Sequence, residues 1–156
     1  MAERYLRAGD VISGQEGTAQ GIINGKVETL FMIKALEATI KKEKEKIRTL
    51  GRRGVQSKAA GWSGSGSMTA YYVSSLFRKL AVDYVKNGVD VYFDVIITNM
   101  DPTSSIGRQT VALRNCNIDS VLAAKLDTGM SALDEEMDFT FDDVDLLESF
   151  VTPSNL

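Results

Sequence analysis

The sequence contains no histidine and a single cysteine, and these absences exclude most familiar kinds of active site. Without imidazole, the chain cannot form a Ser-His-Asp triad, a Cys-His pair or a histidine-ligated metal site. Cys116 alone can form neither an internal disulfide bond nor a cysteine-rich zinc site. These absences therefore exclude much of ordinary enzymology.

Proline and long apolar runs are also scarce. The 156 residues include 2 Pro and are 44% hydrophobic and 25% charged, which is typical of one soluble globular domain. The first ten residues include charges and lack an apolar run, and the uncharged stretch 59–77 is rich in Gly and Ser. We therefore expect neither a targeting segment nor a membrane span. The single domain is expected to cover residues 1–156, with flexible ends at about 1–12 and 150–156.

Charge is distributed unevenly along the chain. Residues 1–67 carry 12 basic and 7 acidic side chains, and residues 68–156 carry 6 basic and 14 acidic ones, so the two parts have net charges of +5 and −8. Eight of the basic residues fall within 39–58, and none follows Lys125. A basic and an acidic segment of this kind can meet within one subunit or between two.

Two hairpins are indicated by turn residues between apolar runs. Asn24-Gly25 predicts a tight hairpin, because both central residues of a type I′ turn need positive φ. Residues 91–98 and 109–118 alternate as strands on either side of a turn at 101–107. These patterns predict a mainly β (α+β) fold, an antiparallel β-sandwich or barrel with one principal helix packed on it.

That helix is expected at about 74–87, with Ser74 or Ser75 as its N-cap and Gly88 just beyond its end. After it, residues 121–126 fit a further strand or a short helix, and residues 134–144 alternate apolar with acidic side chains. The apolar positions of the helix recur at helical spacing and predict one buried stripe: Phe77, Leu80, Ala81, Tyr84 and Val85.

Two segments are harder to interpret. The apolar residues of 29–50 have heptad-like spacing, which on local grounds slightly favours a helix, although Leu36, Ala38 and Ile40 would also share one face of a strand. Residues 51–67 contain five Gly and four Ser without periodicity, and they predict a long loop. Loops of that length are usually functional or disordered.

No template for catalysis or ligand binding fits the chain. A glycine-rich stretch superficially resembles a phosphate loop, but Ser67 and Met68 stand where the Walker pattern needs Lys followed by Ser or Thr. An EF-hand loop that begins at Asp142 would need Gly at the position of Leu147. Cys116 has no neighbouring base in the sequence, and we interpret it as a small buried side chain.

The basic segment is also a candidate nucleic-acid site, since its cations could neutralise phosphates and Trp62 could stack on bases. However, Glu43 and Glu45 interrupt the run, and the pI near 5.0 is unlike that of an ordinary nucleic-acid binder. The segment is better interpreted as solvated or as facing another subunit.

Several short motifs follow one another in a distinctive order from about residue 10 to residue 150. They are SGQEG at 13–17, the Asn-Gly hairpin, LEATI at 36–40, LGRR at 50–53, GSGSMTAYY at 64–72, DYVKNG at 83–88 and FTFDD at 139–143. In number and order these motifs resemble those of the tube proteins of contractile phage tails in PBSX-like prophages.

The resemblance implies a β-barrel-like subunit that forms hexameric rings, which stack into a tube inside a sheath. It also implies that residues 36–47 form an extended strand rather than a helix. The expected partners are further copies of the chain, the tail sheath protein, the tape-measure protein and the baseplate, with DNA only as passing cargo and no membrane. The protein would belong to the virion and be assembled in the host cytoplasm. A tube of a bacteriocin-like or type VI secretion-like machine is the alternative.

No catalytic, cofactor-binding or metal site is expected, and the candidate functional residues are inter-subunit or inter-ring contacts: Arg52, Arg53, Lys58, Trp62, Asp142 and Asp143. Our hypothesis is that the basic residues on the long loop reach an adjacent subunit or ring and meet acidic groups there. Rings can pair sheet edges that would otherwise be open, and head-to-tail contacts build open filaments. Passage of DNA also requires a lumen lined by neutral or acidic side chains.

Overall fold

The computed structural model describes residues 4–30 and 32–153. A short 3-10 helix at Ala8–Asp10 is followed by eight strands and one longer helix. In chain order these elements are β1 Gly17–Ile23, β2 Lys26–Thr29, β3 Ile33–Ile47, β4 Gln56–Tyr71, α1 Leu76–Asn87, β5 Phe93–Met100, β6 Arg108–Ser120, β7 Asp134–Phe141 and β8 Asp143–Glu148. The predicted mainly β fold with one principal helix is confirmed.

All strand pairs are antiparallel, and the main strand order is β2-β1-β5-β6-β7-β4-β3, with β8 also paired to β6. β6 takes part in two sheets: its first part pairs with β5 and β8, and its end pairs with β7 from Asn117 to Ser120. Between these parts Asn115 has a φ of 53°, a left-handed conformation that Asn tolerates better than most residues. A corner of this kind lets one strand pass from one sheet into the other.

The core lies between the two sheets and is capped by the start of α1. Phe77 of the helix packs on Phe93 of β5 with ring centroids 5.7 Å apart. The alternation predicted for 134–144 is confirmed within β7, whose Met137, Phe139 and Phe141 are buried while the residues between them are exposed. The other large, fully buried side chains are Met68, Leu113, Val95 and Cys116.

The turn predictions are confirmed. Asn24 and Gly25 have φ values of 52° and 77° and join β1 to β2. Helix α1 ends at Gly88, which has a φ of 69° and donates its N–H to Tyr84 O at 2.9 Å. Of the stripe predicted to be buried, Phe77 is buried and Leu80 and Ala81 are partly buried. The prediction is wrong for Tyr84 and Val85, which are exposed and line a groove between the end of α1 and the sheet.

The long loop predicted at 51–67 is wrong: only residues 48–55 connect β3 to β4, and residues 56–67 are strand. Gly64 and Gly66 pair with Phe141 and Phe139, whose buried side chains lie on the inner face of the sheet. A Cβ atom at Gly66 would lie 2.5 Å from Phe139 Cζ, and one at Gly64 would lie 2.4 Å from Phe141 Cε2. The glycines therefore make room for the aromatic rings, and the Ser residues between them lie on the opposite face.

Two further expectations are resolved by the structure. Residues 121–126 form neither a strand nor a helix; they run as an irregular segment that Arg78 contacts by donating to Leu122 O at 3.1 Å. Residues 36–47 lie within β3, so the expectation of an extended strand is confirmed and the local helical pattern is overridden by pairing with β4. The 15 residues of β3 extend about 50 Å, at roughly 3.3 Å per residue.

Candidate functional site

The β3–β4 hairpin projects from the body of the molecule. β4 pairs with β7 only from Gly64 to Tyr71, so residues 41–63, which we call the arm, have β-sheet partners only within the hairpin. Every residue of the arm is exposed. Two-stranded hairpins without a third strand are marginally stable in water. We therefore expect the arm to be stabilised by contact with a second molecule.

The arm carries the basic segment of the sequence. Across residues 4–30 and 32–153, none of its eight Lys and Arg side chains forms an ion pair with the same protomer. Glu43 accepts only a long hydrogen bond from Ser63 Oγ, at 3.4 Å. The cations of the arm are thus available to a second molecule.

Several charges in the body are paired instead. Arg78 on α1 donates to Glu135 Oε2 at 2.7 Å, and this hydrogen bond raises the pKa of Arg78 despite desolvation. Arg114 on β6 contacts Asp94 at 3.0 Å and Asp145 at 3.2 Å, and these hydrogen bonds raise its pKa as well. These pairs join the helix and strands of one protomer rather than two protomers.

The predicted contact residues lie in two places. Arg52 and Arg53 are in the connection at the tip of the arm, and Lys58 lies opposite Glu45 within it. Asp142 and Asp143 are at the junction of β7 and β8. They follow Phe141, which pairs with Gly64 at the root of the arm, the point where β4 leaves β7. The structure therefore does not bring the basic group to the acidic group within one protomer.

Trp62, by contrast, lies beside Asp142. These residues, with Tyr92 and Phe141, line a surface concavity of about 420 Å³, which we call the root concavity. Trp62 packs on Phe141 with ring centroids 6.2 Å apart and remains 43% exposed. Asp142 Oδ1 accepts a hydrogen bond from Asn115 Nδ2 at 2.9 Å. The site combines aromatic walls with a carboxylate at the edge.

The end of β6 and strands β7, β4 and β3 form what we call the second sheet. Its outer side is a polar face that sequence reasoning did not locate. Strand register places Glu37, Ser67 and Asp138 side by side in one row, and the next row contains Thr39, Ser65, Thr140 and Asn117. The two rows hold hydroxyl, amide and acidic groups and no cation. The alternation of Ser63, Ser65 and Ser67 was the available strand signal. The glycines between them gave the segment the composition of a loop, so the alternation was not recognised.

The N-terminal segment is held on the turn at 101–107 by two buried carboxylates. Asp101 accepts hydrogen bonds from Thr103 Oγ1 at 2.6 Å and from Ser13 N at 2.9 Å, and these bonds lower its pKa. Asp10 accepts hydrogen bonds from Ser105 Oγ and from Arg7 N. The flexibility expected for residues 1–12 stays a prediction.

Cys116 is buried beside Val95, and desolvation raises its pKa to about 12. No group of acidic and cysteine side chains in the described chain is arranged to hold a metal ion. Within the same residues, no helix is long and apolar enough to cross a membrane.

The projecting hairpin and the long edge strand β3 are typical of a component of an assembly. A family model described as "Phage tail tube protein" matches residues 4–148. The chain belongs to the phage tail tube protein family. It is 40% identical over 143 residues to the phage-like element PBSX protein XkdM of Bacillus subtilis (strain 168), which covers 92% of this chain and 95% of that protein.

Solved structures agree in fold. The cap that terminates the anti-feeding prophage tube has a TM-score of 0.69 at 10% identity, covering 96% of this chain and 95% of that one. A chain of the sheath-tube complex of an extracellular contractile injection system has a TM-score of 0.65 at 13% identity, covering 89% and 92%. The chain is accordingly a structural phage tail tube protein and not an enzyme, and tail tube proteins are virion components.

Proposed function

We propose that this chain forms hexameric rings that stack head-to-tail into the inner tube of a contractile tail, through which DNA passes. The observation that carries the proposal is the arm, which is fully exposed and without a partner in one protomer. The tail sheath protein surrounds the tube, and the tape-measure protein and baseplate set its length and its end. The tube is assembled in the host cytoplasm.

The edges of the second sheet support ring closure. Among the described strands β3 pairs only with β4, so its other edge has no partner there, and the end of β6 pairs with β7 on one side. If the free edge of β3 pairs with β6 of the next copy, strands β6, β7, β4 and β3 of successive copies form one continuous sheet around the ring, and the edge of β3 is no longer open. The outer polar faces would then form one continuous surface.

We assign that surface to the lumen. Glu37 and Asp138 make it acidic, and Ser65, Ser67 and Thr140 make the rest of it hydroxyl-lined. Acidic and neutral side chains do not retain phosphates, so DNA can pass without being held.

The arm supports stacking of the rings. In this proposal Arg52, Arg53 and Lys58 of one copy reach an adjacent copy and meet Asp142 and Asp143 there. These two acidic residues follow Phe141, which pairs with Gly64 where the arm leaves the body. Such a contact joins two different surfaces, and heterologous contacts of this kind continue as open filaments.

The first test is negative-stain electron microscopy of the concentrated protein. We expect rings or tubes of uniform width. Double charge reversal R52E/R53E should shorten the tubes and increase their sensitivity to salt, whereas the matched reversal K79E/K86E on α1 should not. Unchanged length and salt response of R52E/R53E would contradict the charge contact, and protein that stays monomeric under all conditions would contradict the tube.

A second candidate function is a tube in a bacteriocin-like or type VI secretion-like machine, favoured by the likeness to the anti-feeding prophage and to the extracellular contractile injection system. Particles purified from the producing cells distinguish the two: DNA-filled heads support the phage tail, and headless particles support the injection machine. Tight, sequence-independent duplex binding by assembled tubes would instead support a nucleic-acid-binding module.

A further inference from the structure

The arm is as long as the part of β4 that lies in the body. β4 has 16 residues, of which Gly64–Tyr71 pair with β7 and residues 56–63 project beyond it. Each half extends about 26 Å at roughly 3.3 Å per residue. A second copy displaced along the arm by one body length would therefore have its own arm root beside the tip of the first arm.

The tip presents an apolar side chain between cations. Leu50 has a relative exposure of 104%, so it contacts almost nothing in its own protomer. Arg48, Arg52 and Arg53 flank it, and the sequence has no acidic residue from position 46 to position 82. A surface that binds this tip must therefore combine an apolar patch for Leu50 with carboxylates for the arginines.

The root concavity offers that surface. Trp62 and Tyr92 are 43% and 62% exposed, and with Phe141 they supply an apolar wall. Asp142 lies at its edge, and across the described part of the chain its Oδ2 has no hydrogen-bond donor. Asp143 follows directly and forms no ion pair among the same residues.

We propose that the arm tip of one copy docks in the root concavity of a second copy, with Leu50 against Trp62 and Tyr92. Arg52 and Arg53 then pair with Asp142 and Asp143 of that copy. The proposal rests on the stacked tube proposed above and names the receiving site and its apolar anchor. Because each copy carries both a tip and a root, the contact repeats without limit and gives the tube its head-to-tail polarity.

The carboxylates favour a protein occupant over nucleic acid. A DNA strand that stacked on Trp62 would bring its phosphates close to Asp142 and Asp143, where like charges repel. An arginine-flanked leucine matches both the apolar wall and the charge of the site. A second copy of this chain is therefore the occupant that the chemistry supports.

Disulfide cross-linking between two single-substitution proteins tests the contact directly. L50C and Y92C proteins are mixed, assembled and oxidised, and the products are separated on a non-reducing gel. The native Cys116 is buried, so it does not compete. We expect a cross-linked dimer of one L50C and one Y92C chain. This product reports a contact between copies, because each chain carries only one of the two introduced cysteines.

Leu126 provides the matched control, because it is also fully exposed, at 98%, but lies outside the arm. The L126C protein mixed with Y92C should give no cross-link above background. Tubes that form normally but give no L50C–Y92C product would overturn the docking contact while leaving the tube intact. Failure of the unsubstituted chain to form tubes would overturn both proposals.

A polar substitution at the tip gives an independent measurement. L50S should raise the protein concentration needed for assembly by about tenfold, the effect of losing one buried leucine contact, whereas L126S should not change it. Trp62, the only tryptophan, reports the same event: its emission should shift to shorter wavelength on assembly. Assembly of L50S at the original concentration with the full shift would contradict the proposal, as would a shift caused by duplex DNA alone.

Discussion

The β3–β4 hairpin consists of two halves that share the same strands and the same antiparallel pairing but have different surroundings. In the body half, β4 has β7 as a second neighbour, and Met68 and Ala70 are each 1% exposed. In the arm half there is no third strand, and every residue is exposed. Both halves are paired by the same antiparallel ladder, with one register shift in each, so the difference in stability comes from burial.

This difference separates folding from assembly. Substitutions in the body half and in the elements packed on it should change the free energy of unfolding of one protomer. Substitutions in the arm should leave that quantity nearly unchanged and act on the contact between copies. We therefore compare the response of a residue in the body with that of a residue in the arm.

The largest effect is expected at the buried ion pair of the body. R78A removes the partner of Glu135, whose side chain is 5% exposed, and leaves a buried carboxylate without its cation. We expect a loss of about 3 kcal/mol in the free energy of unfolding, measured by urea denaturation of the monomer. R52A in the arm should change it by less than about 0.5 kcal/mol. Equal losses for the two variants would contradict the division between body and arm.

A smaller effect is expected from added volume beside the aromatic rings. G66A would place a Cβ atom 2.5 Å from Phe139 Cζ and 2.6 Å from the backbone oxygen of Glu37, so the sheet must shift. Overpacking of this kind costs about 2 kcal/mol. At Gly54, near the arm tip, the nearest atom to an added Cβ is Nε of the exposed Arg52 at 3.5 Å, an ordinary contact, and G54A should be neutral within about 0.5 kcal/mol. The thermal midpoints of the two variants check this, and a neutral G66A would show that the glycines are not required by packing.

The smallest effect on the free energy of unfolding is expected from the thiol of Cys116. Because the pKa of Cys116 is raised to about 12, its neutral form is favoured in the folded state. Its contribution to stability is complete below the unfolded thiol pKa of about 8.5 and is lost as the pH rises toward 12. At pH 8 a thiol reagent should leave Cys116 of the monomer unmodified until the protein unfolds, while L50C in the arm reacts at once. Rapid labelling of the native chain would contradict the burial of Cys116.

Local chemistry was enough to predict several elements. The Asn24-Gly25 turn and the Gly88 helix end follow from positive φ, which few other residues adopt. The alternation of Met137, Phe139 and Phe141 with polar residues identified the apolar face of β7. The charge division marked the basic arm and the acidic C-terminal part, although it did not say that they lie apart within one protomer.

The sequence by itself determined the turns, the helix with its C-terminal end, the apolar face of β7 and the absence of imidazole chemistry, because each depends on residues close together or on composition. Tertiary structure decided that residues 33–47 and 56–71 form one long hairpin. In β3 the pairing with β4 outweighs a helical pattern, and in β4 the glycines are required by Phe139 and Phe141 from another strand. It also decided where the hairpin leaves the body, because β7 ends at Phe141 and no described strand continues the sheet beyond it.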